Sequence, residues 1–347
     1  RRARLIRAPD APNIASAGSA PGAGAPAPVF TPPEIALIDA PFASGAQDWQ
    51  ILAAARAEPW PGLLRVYAGA SNEKLRLIGR VEAPAAMGEV LEDLPAGRFA
   101  IWQEDTKLHL TIHGVSLQSA TKRQVLNGAN LLAVESAPES PNGGGWEFLQ
   151  FRDAELVGAQ EWVLSGLLRG QFGTDDQALA PILAGARVVL IDDRVAKLSL
   201  AESERGLTLQ WRAGPAGRDR FGDSYATLES AKTGRALRPW SPCHLRAARQ
   251  PGGDIRISWV RRARWGGDSW EGLDPPLSEE AEIYQVSIFA SGILKRRLES
   301  AAPEATYALS AQIADFGAPA SALELEVMQL SNRAGAGISR SGLIAVN

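Results

Sequence analysis

The stretch from Trp146 to Asp193 limits the possible folds more than any other part of this chain. It reads WEFLQFRDAELVGAQEWVLSGLLRGQFGTDDQALAPILAGARVVLIDD, with apolar residues alternating with polar ones between glycine-rich breaks. A period of two marks strands with one buried face, so the stretch predicts stacked β-hairpins rather than a catalytic loop. Gly158-Ala159-Gln160 predicts a turn into Glu161-Trp162-Val163-Leu164. In Arg169-Gly170-Gln171-Phe172-Gly173-Thr174, two glycines three apart permit positive φ and close backbone approach. Gly185 to Asp193 reads as a buried strand ended by a polar turn.

The same pattern extends outward. Glu34–Ile38 predicts a short strand, and Leu64–Tyr67 and Leu75–Ile78 flank Gly69-Ala70-Ser71-Asn72 as a hairpin. Glu89–Leu94, Arg98–Trp102, Ala196–Leu200, Leu207–Trp211 and Tyr225–Leu228 predict further strands, with a polar loop over Arg212–Asp223. Val125–Val134 places an Asn-Gly turn signal between apolar runs and favours β structure. Helix is predicted only for a turn or two at Asp48–Arg56, on its alanine content. Residues 1–26, and the wider run Ala8–Pro33, are dominated by Ala, Pro, Gly and Ser, which cannot bury enough surface to offset the entropy of ordering. They predict a linker, or an arm lying on a neighbour.

The order WEFLQFRDAELV, LSGLLRGQFGT, AGARVVLIDD is similar to the C-terminal region of the large tail-tip, or host-specificity, protein of gene transfer agents and related siphophage-like tails. The likeness runs from about Pro59 to the C-terminus, and LLRGQFGT is its most distinctive part. That family carries a glycoside-hydrolase-like domain further toward its N-terminus, which nothing here matches, so no hydrolase activity is implied. The resemblance implies a structural protein of a phage-like particle's tail tip, assembled in the bacterial cytoplasm and released. As partners it implies other tail and baseplate proteins, further copies in a homo-trimer, and a host cell-surface receptor or glycan.

Beyond Pro239-Trp240-Ser241-Pro242 the chain is similar to a fibronectin type III module. Asp254–Val260 would be strand B with Trp259 in the core, Glu282–Ile288 strand C, Thr306–Leu309 part of strand E, and Leu323–Val327 strand F. A B–C loop longer than that module's own, Arg261–Glu280, holds Trp265 and Trp270. The expected fold is therefore mostly β: a β-rich tail-hub region over residues 27–240 and a fibronectin type III-like β-sandwich over 241–347.

Composition narrows the function. A net charge of −3 argues against a generic polyanion binder, although a local patch stays open. No stable nucleic-acid binding is expected of this portion, though DNA passes through the implied assembly. No apolar run approaches the roughly 20 residues that span a bilayer. The chain opens with Arg1-Arg2, without a signal-like segment, and is read as part of a longer polypeptide. One cysteine, Cys243, excludes an intramolecular disulfide and a multi-cysteine zinc site. Ten tryptophans are expected to serve mostly as core fillers.

No catalytic, metal or cofactor site is expected. His109 and His113 face outward from a strand, about 13 Å apart at 3.3 Å per residue, too far to share one ion. Cys243 and His244 are neighbours in extended chain and point to opposite faces. Asp153-Glu155 and Asp192-Asp193 read as solvated edges and turns. Gly166, Gly170 and Gly173 around Arg169 lack the Lys-Ser/Thr of a phosphate-binding loop, and Arg169 is expected to pair with a carboxylate or backbone carbonyl. Arg261, Arg262, Arg264, Trp265 and Trp270 form the cluster that stands out. Arg and Trp supply most hot-spot energy and the acids from Asp268 to Glu280 neutralise it, so it reads as a protein-facing loop ahead of a nucleic-acid contact, with a plain solvated loop the equal alternative. The rival readings are a carbohydrate-binding adhesin and part of a cell-wall-degrading enzyme.

Overall fold

The computed structural model describes residues 29–42, 49–136, 145–267 and 274–347. Residues 1–28, which contain the expected arm, and 268–273, which contain Trp270, lie outside them. Strands β1 (Glu34–Asp39) and β2 (Ile51–Arg56) pair antiparallel, Glu34 opposite Arg56. The helix expected around Asp48–Arg56 is therefore a correction: Asp48 is outside the described residues and the rest is strand. Helix propensity is a weak prior, and here tertiary context overrides it. Ile51, Ala53 and Ala55 face one apolar core while Leu52 and Ala54 face another. The alanines are small because β2 is buried between two layers. Strands β3 (Leu64–Gly69) and β4 (Arg76–Val81) form the expected hairpin.

The chain then builds a barrel from β5 (Met87–Val90), β6 (Trp102–Gln103), β7 (Leu108–His113), β8 (Leu131–Ser136), β9 (Gly145–Gly158), β10 (Glu161–Leu168) and β11 (Arg187–Leu190). Among the described residues the order β10-β7-β5-β11-β8-β9 closes on itself through β9–β10, and β6 extends β10. Leu108, Leu110, Ile112, Leu149, Phe151, Trp162 and Leu164 fill the interior, so it is a packed core and not a channel. The strands expected at Glu89–Leu94 and Arg98–Trp102 are shorter and shifted, at Met87–Val90 and Trp102–Gln103.

The Asn-Gly signal near residue 127 also needs correcting. Lys122–Leu126 is a helix, α1, opened by a capping box between Thr121 and Gln124 and ended at Asn127. Gly128 follows at φ 99°, the left-handed geometry of a helix end. Gln150 of β9 donates to the Val125 and Ala129 carbonyls at 2.6 and 2.7 Å, which satisfies that end. An Asn-Gly pair marks a reversal of the chain, and the hydrogen-bond partners decide which kind.

After a second short helix, α2 (Asp175–Ala178), and β11, the chain returns to the first sheets. β12 (Ala196–Leu198) pairs with β2, and β13 (Thr208–Pro215) pairs with β3 and with β14 (Ala226–Ala231). The start of the expected polar loop, Arg212–Pro215, is thus strand. Sheets β1-β2-β12 and β14-β13-β3-β4 face each other over Leu64, Val66, Leu209 and Trp211. The barrel is an insertion between β4 and β12 of this outer pair of sheets.

The remaining strands are β15 (Cys243–Arg249), β16 (Ile255–Val260), β17 (Ile283–Ala290), β18 (Ile293–Ser300), β19 (Glu304–Tyr307), β20 (Ala322–Ser331), β21 (Gly335–Ala336) and β22 (Arg340–Ala345). They make two sheets, β15-β16-β19 and β18-β17-β20, the latter extended by β21 and β22. This is the strand grouping of a fibronectin type III sandwich. Trp259 packs edge-on against Tyr284, centroids 5.0 Å apart, in a core with Ile257, Val286, Leu325 and Val327. A helix absent from the sequence reading, α3 (Leu309–Phe316), lies between β19 and β20, fixed by Tyr307 and Arg296 on Asp315.

Candidate functional site at the barrel–sandwich junction

The distinctive LLRGQFGT segment leaves β10 at Leu168 and turns back at once. Arg169 is fully buried and makes a bidentate pair with Glu147 of β9, Nε to Oε1 at 2.8 Å and Nη2 to Oε2 at 2.6 Å. Its Nη1 donates to the Pro95 carbonyl at 2.6 Å, and the Gly170 amide donates to Glu147 at 3.1 Å. Glu147 lies on the same side of β9 as Leu149 and Phe151, so the pair closes one end of the barrel. The expectation that Arg169 meets a carboxylate or a carbonyl is met by both. A charge pair this deep depends on further hydrogen bonds to both partners, supplied here by the Pro95 carbonyl and the Gly170 amide.

Positive φ at Gly170 (63°), Phe172 (54°) and Gly173 (74°) tightens the turn. At Gly173 glycine is needed twice over, because a Cβ there would overlap the Trp240 ring. The turn delivers Asp175 and Asp176 in α2, each nearly sealed from solvent. Asp176 pairs with Arg235, whose Nη2 also donates to the Gly173 carbonyl at 2.8 Å. Asp175 accepts from Ser241 and, at 3.1 Å, from Arg262, which lies 5.1 Å over the Trp240 ring. One eight-residue segment therefore joins the barrel, the connector at 234–242 and the loop after β16. Further bonds cross the same junction: Arg340 lies over Phe99, Arg333 reaches Glu202, and the Ile338 amide donates to the Pro239 carbonyl.

Three candidates from the aromatic and basic cluster are engaged within the chain. Arg262 holds Asp175. Arg264, only 4% exposed, meets Glu279 at 2.8 Å and the Ala236 and Ser278 carbonyls. Burial pushes the Glu279 carboxyl up despite the pull of Arg264. Arg261 donates to the Pro275 and Pro276 carbonyls. Trp265 is 44% exposed and borders an open groove of about 840 Å³ with Phe172, Trp240 and Val260.

The other sequence candidates stay apart. His109 bonds Glu161 at 2.8 Å. Burial pushes the Cys243 thiol up, the opposite of an activated thiolate. Arg152 holds Asp153 and Arg194 holds Asp192. Among the described residues no three His, Cys, Asp or Glu side chains gather as a metal set, and no helix is long and apolar enough to cross a membrane. Sequence reasoning missed Glu147, Asp175, Asp176, Arg235 and Ser241. A signal existed for the first, a carboxylate in the mostly apolar WEFLQF.

A family model described as "Rcc01698-like, C-terminal" matches residues 85–189. That span is the closed barrel. The match begins just before β5 and ends within β11, so the family unit and the inserted structural unit coincide. No curated protein matches. Among solved structures, the FN1–FN3 domains of chicken CNTN1 align over 92% of this chain and 99% of theirs at 12% identity and TM-score 0.23. The Spr0440 glycoside hydrolase domain, Endo-D from Streptococcus pneumoniae R6, aligns over 81% of this chain and 36% of its own at 11% identity and TM-score 0.18. Superpositions this loose bear on neither fold nor activity.

Proposed function

We propose that this chain is a non-enzymatic structural component of a gene-transfer-agent or phage-like tail tip, contributing to tail assembly, host-envelope attachment and DNA delivery. The observation that carries this reading is the coincidence of the Rcc01698-like match with the inserted barrel, on the stretch whose residues resemble tail-tip proteins. A barrel anchored at both ends in a second pair of sheets, and bracketed to a sandwich by sealed ion pairs, suits a part that must hold its shape under load. Because the barrel interior is packed, DNA passes between copies and not through one, which favours a ring such as a trimer with other baseplate proteins around it. Electron microscopy of intact particles tests the reading: density for this chain at the tail end is expected, and its absence there overturns the proposal.

The half-exposed Trp265 and its groove favour one second reading, a glycan-binding adhesin, since sugars stack on exposed indoles. Glycan-array binding that is lost in Trp265→Ala would support it, and no binding by the intact chain would remove it.

A further inference from the structure

The outer face of the sheet β14-β13-β3-β4 concentrates positive charge in a chain that is acidic overall. Along β3, Leu64, Val66 and Ala68 point into the core, which leaves Arg65 and Tyr67 outward. Arg80 of β4 stands directly opposite Arg65, and Arg212 of β13 directly opposite Tyr67. The loop after β13 adds Arg220, which lies 5.6 Å over the Tyr67 ring and 5.0 Å over Phe221, while Arg212 lies 4.9 Å over Phe221 from its other neighbour.

Elsewhere the arginines of this protein are mostly committed to carboxylates, as Arg169, Arg187, Arg235, Arg262 and Arg264 are. On this face, among the described residues, Arg65, Arg80, Arg212 and Arg220 make no ion pair; the nearest one belongs to Arg76, with Glu204. Arg212 donates instead to Asn72 Oδ1 and the Arg220 carbonyl, and Arg65 Nε is sealed without a partner. Two acids lie close. Asp219 is engaged by the Phe221 amide at 3.1 Å, and Glu229 sits opposite Gln210, one step along from Arg212. Like charges directly opposite on a sheet are destabilising, so the Arg65–Arg80 juxtaposition costs stability that no carboxylate among the described residues returns through an ion pair.

We propose that this face is a contact surface for the phosphate backbone of duplex DNA. Guanidinium forks match phosphate oxygens, and stacking on Tyr67 and Phe221 holds two of them in place before binding. Tyr225 roofs one end of the face over Gly214, and the rest is a sheet surface and not a closed pocket, which fits a long backbone of repeated charge better than a small anion. The choice of DNA among polyanions rests on the tail-tip reading above; the cationic surface itself does not.

The test is fluorescence anisotropy of the full chain with a labelled duplex of about 20 base pairs across a salt series. With four phosphates contacted, binding should weaken by roughly a hundredfold between about 50 and 200 mM salt. The Arg65→Gln/Arg80→Gln double variant should lower the salt slope by about two and keep or raise the melting temperature, since it relieves a repulsion. A control with the same charge change on exposed sandwich positions, Arg246→Gln/Arg297→Gln, should leave the slope unchanged. Equal weakening by the control, no binding at low salt, or tighter binding to anionic phospholipid vesicles than to DNA would each overturn the proposal. None of these outcomes touches the location of the chain in the particle, which microscopy decides separately.

Discussion

In the barrel every strand of the ring has two neighbours, whereas in the sandwich, among the described residues, β18 pairs on one side only. The two regions also handle buried polarity differently. The barrel end holds a full ion pair, Arg169–Glu147, with each charged group multiply bonded. The sandwich core is apolar around the Trp259–Tyr284 contact and, among the described residues, buries the Gln329 amide Nε2 without a partner, as the barrel does the Trp162 indole Nε1. The barrel fixes its end through this charged pair, bonded in turn to Pro95 and Gly170. The sandwich relies on apolar packing and takes its orientation from the barrel through Asp175. That asymmetry can be tested.

Removing one half of the sealed pair should have the largest effect. Arg169→Ala leaves Glu147 buried and uncompensated, and should cost about 3–5 kcal/mol in urea unfolding. The paired change Arg169→Met/Glu147→Leu should recover most of that loss. If Arg169→Ala costs under about 1 kcal/mol, the barrel end is not sealed as described.

Trp259→Ala tests the apolar side of the comparison and should cost about 3–5 kcal/mol, confined to the sandwich. Loss of barrel signals in the same transition would contradict the division of labour.

Asp175→Ala removes the acceptor shared by Arg262 and Ser241, with an expected loss of about 1–3 kcal/mol. Calorimetry should then resolve separate transitions for sandwich and barrel. A single unchanged transition would show that the other junction contacts suffice.

The acid response should distinguish the regions on a finer scale. The Arg187 side chain bonded to Glu135 holds that carboxyl below its ordinary 4.5. A carboxylate lowered in the folded state stabilises above its unfolded value, and that contribution disappears as pH falls through the folded one. Arg187→Gln should therefore flatten stability against pH below about 4.5 relative to the parent chain, read by thermal melts across an acid series. An unchanged profile would remove Glu135 from the acid response.

Smallest of all, Trp265→Ala should change stability by less than about 0.5 kcal/mol, because the side chain is half exposed. Any larger loss would place it in the folding core instead of at a surface.

The sequence by itself determined the mostly β class, the hairpin of Leu64–Tyr67 with Leu75–Ile78, the inward set Leu108, Leu110 and Ile112, and the sandwich strands around Trp259. Alternation is a local property, and a strand with one wet face writes it directly into its residues. It could not specify β2, because a strand buried on both faces loses alternation and its alanines mimic a helix. Nor could it separate the helix end at Asn127-Gly128 from a hairpin, since both place a glycine at positive φ. Barrel closure depends on β10 meeting β7 and on β11 meeting both β5 and β8, non-local pairings that no single segment encodes. The junction was legible only in part. LLRGQFGT announced a tight turn and an arginine in need of a partner, but Glu147 lies 22 residues before Arg169 and Arg262 lies 87 after Asp175. Charge pairs leave no periodic trace, so only the tertiary structure could show that these carboxylates and guanidinium groups hold barrel and sandwich together.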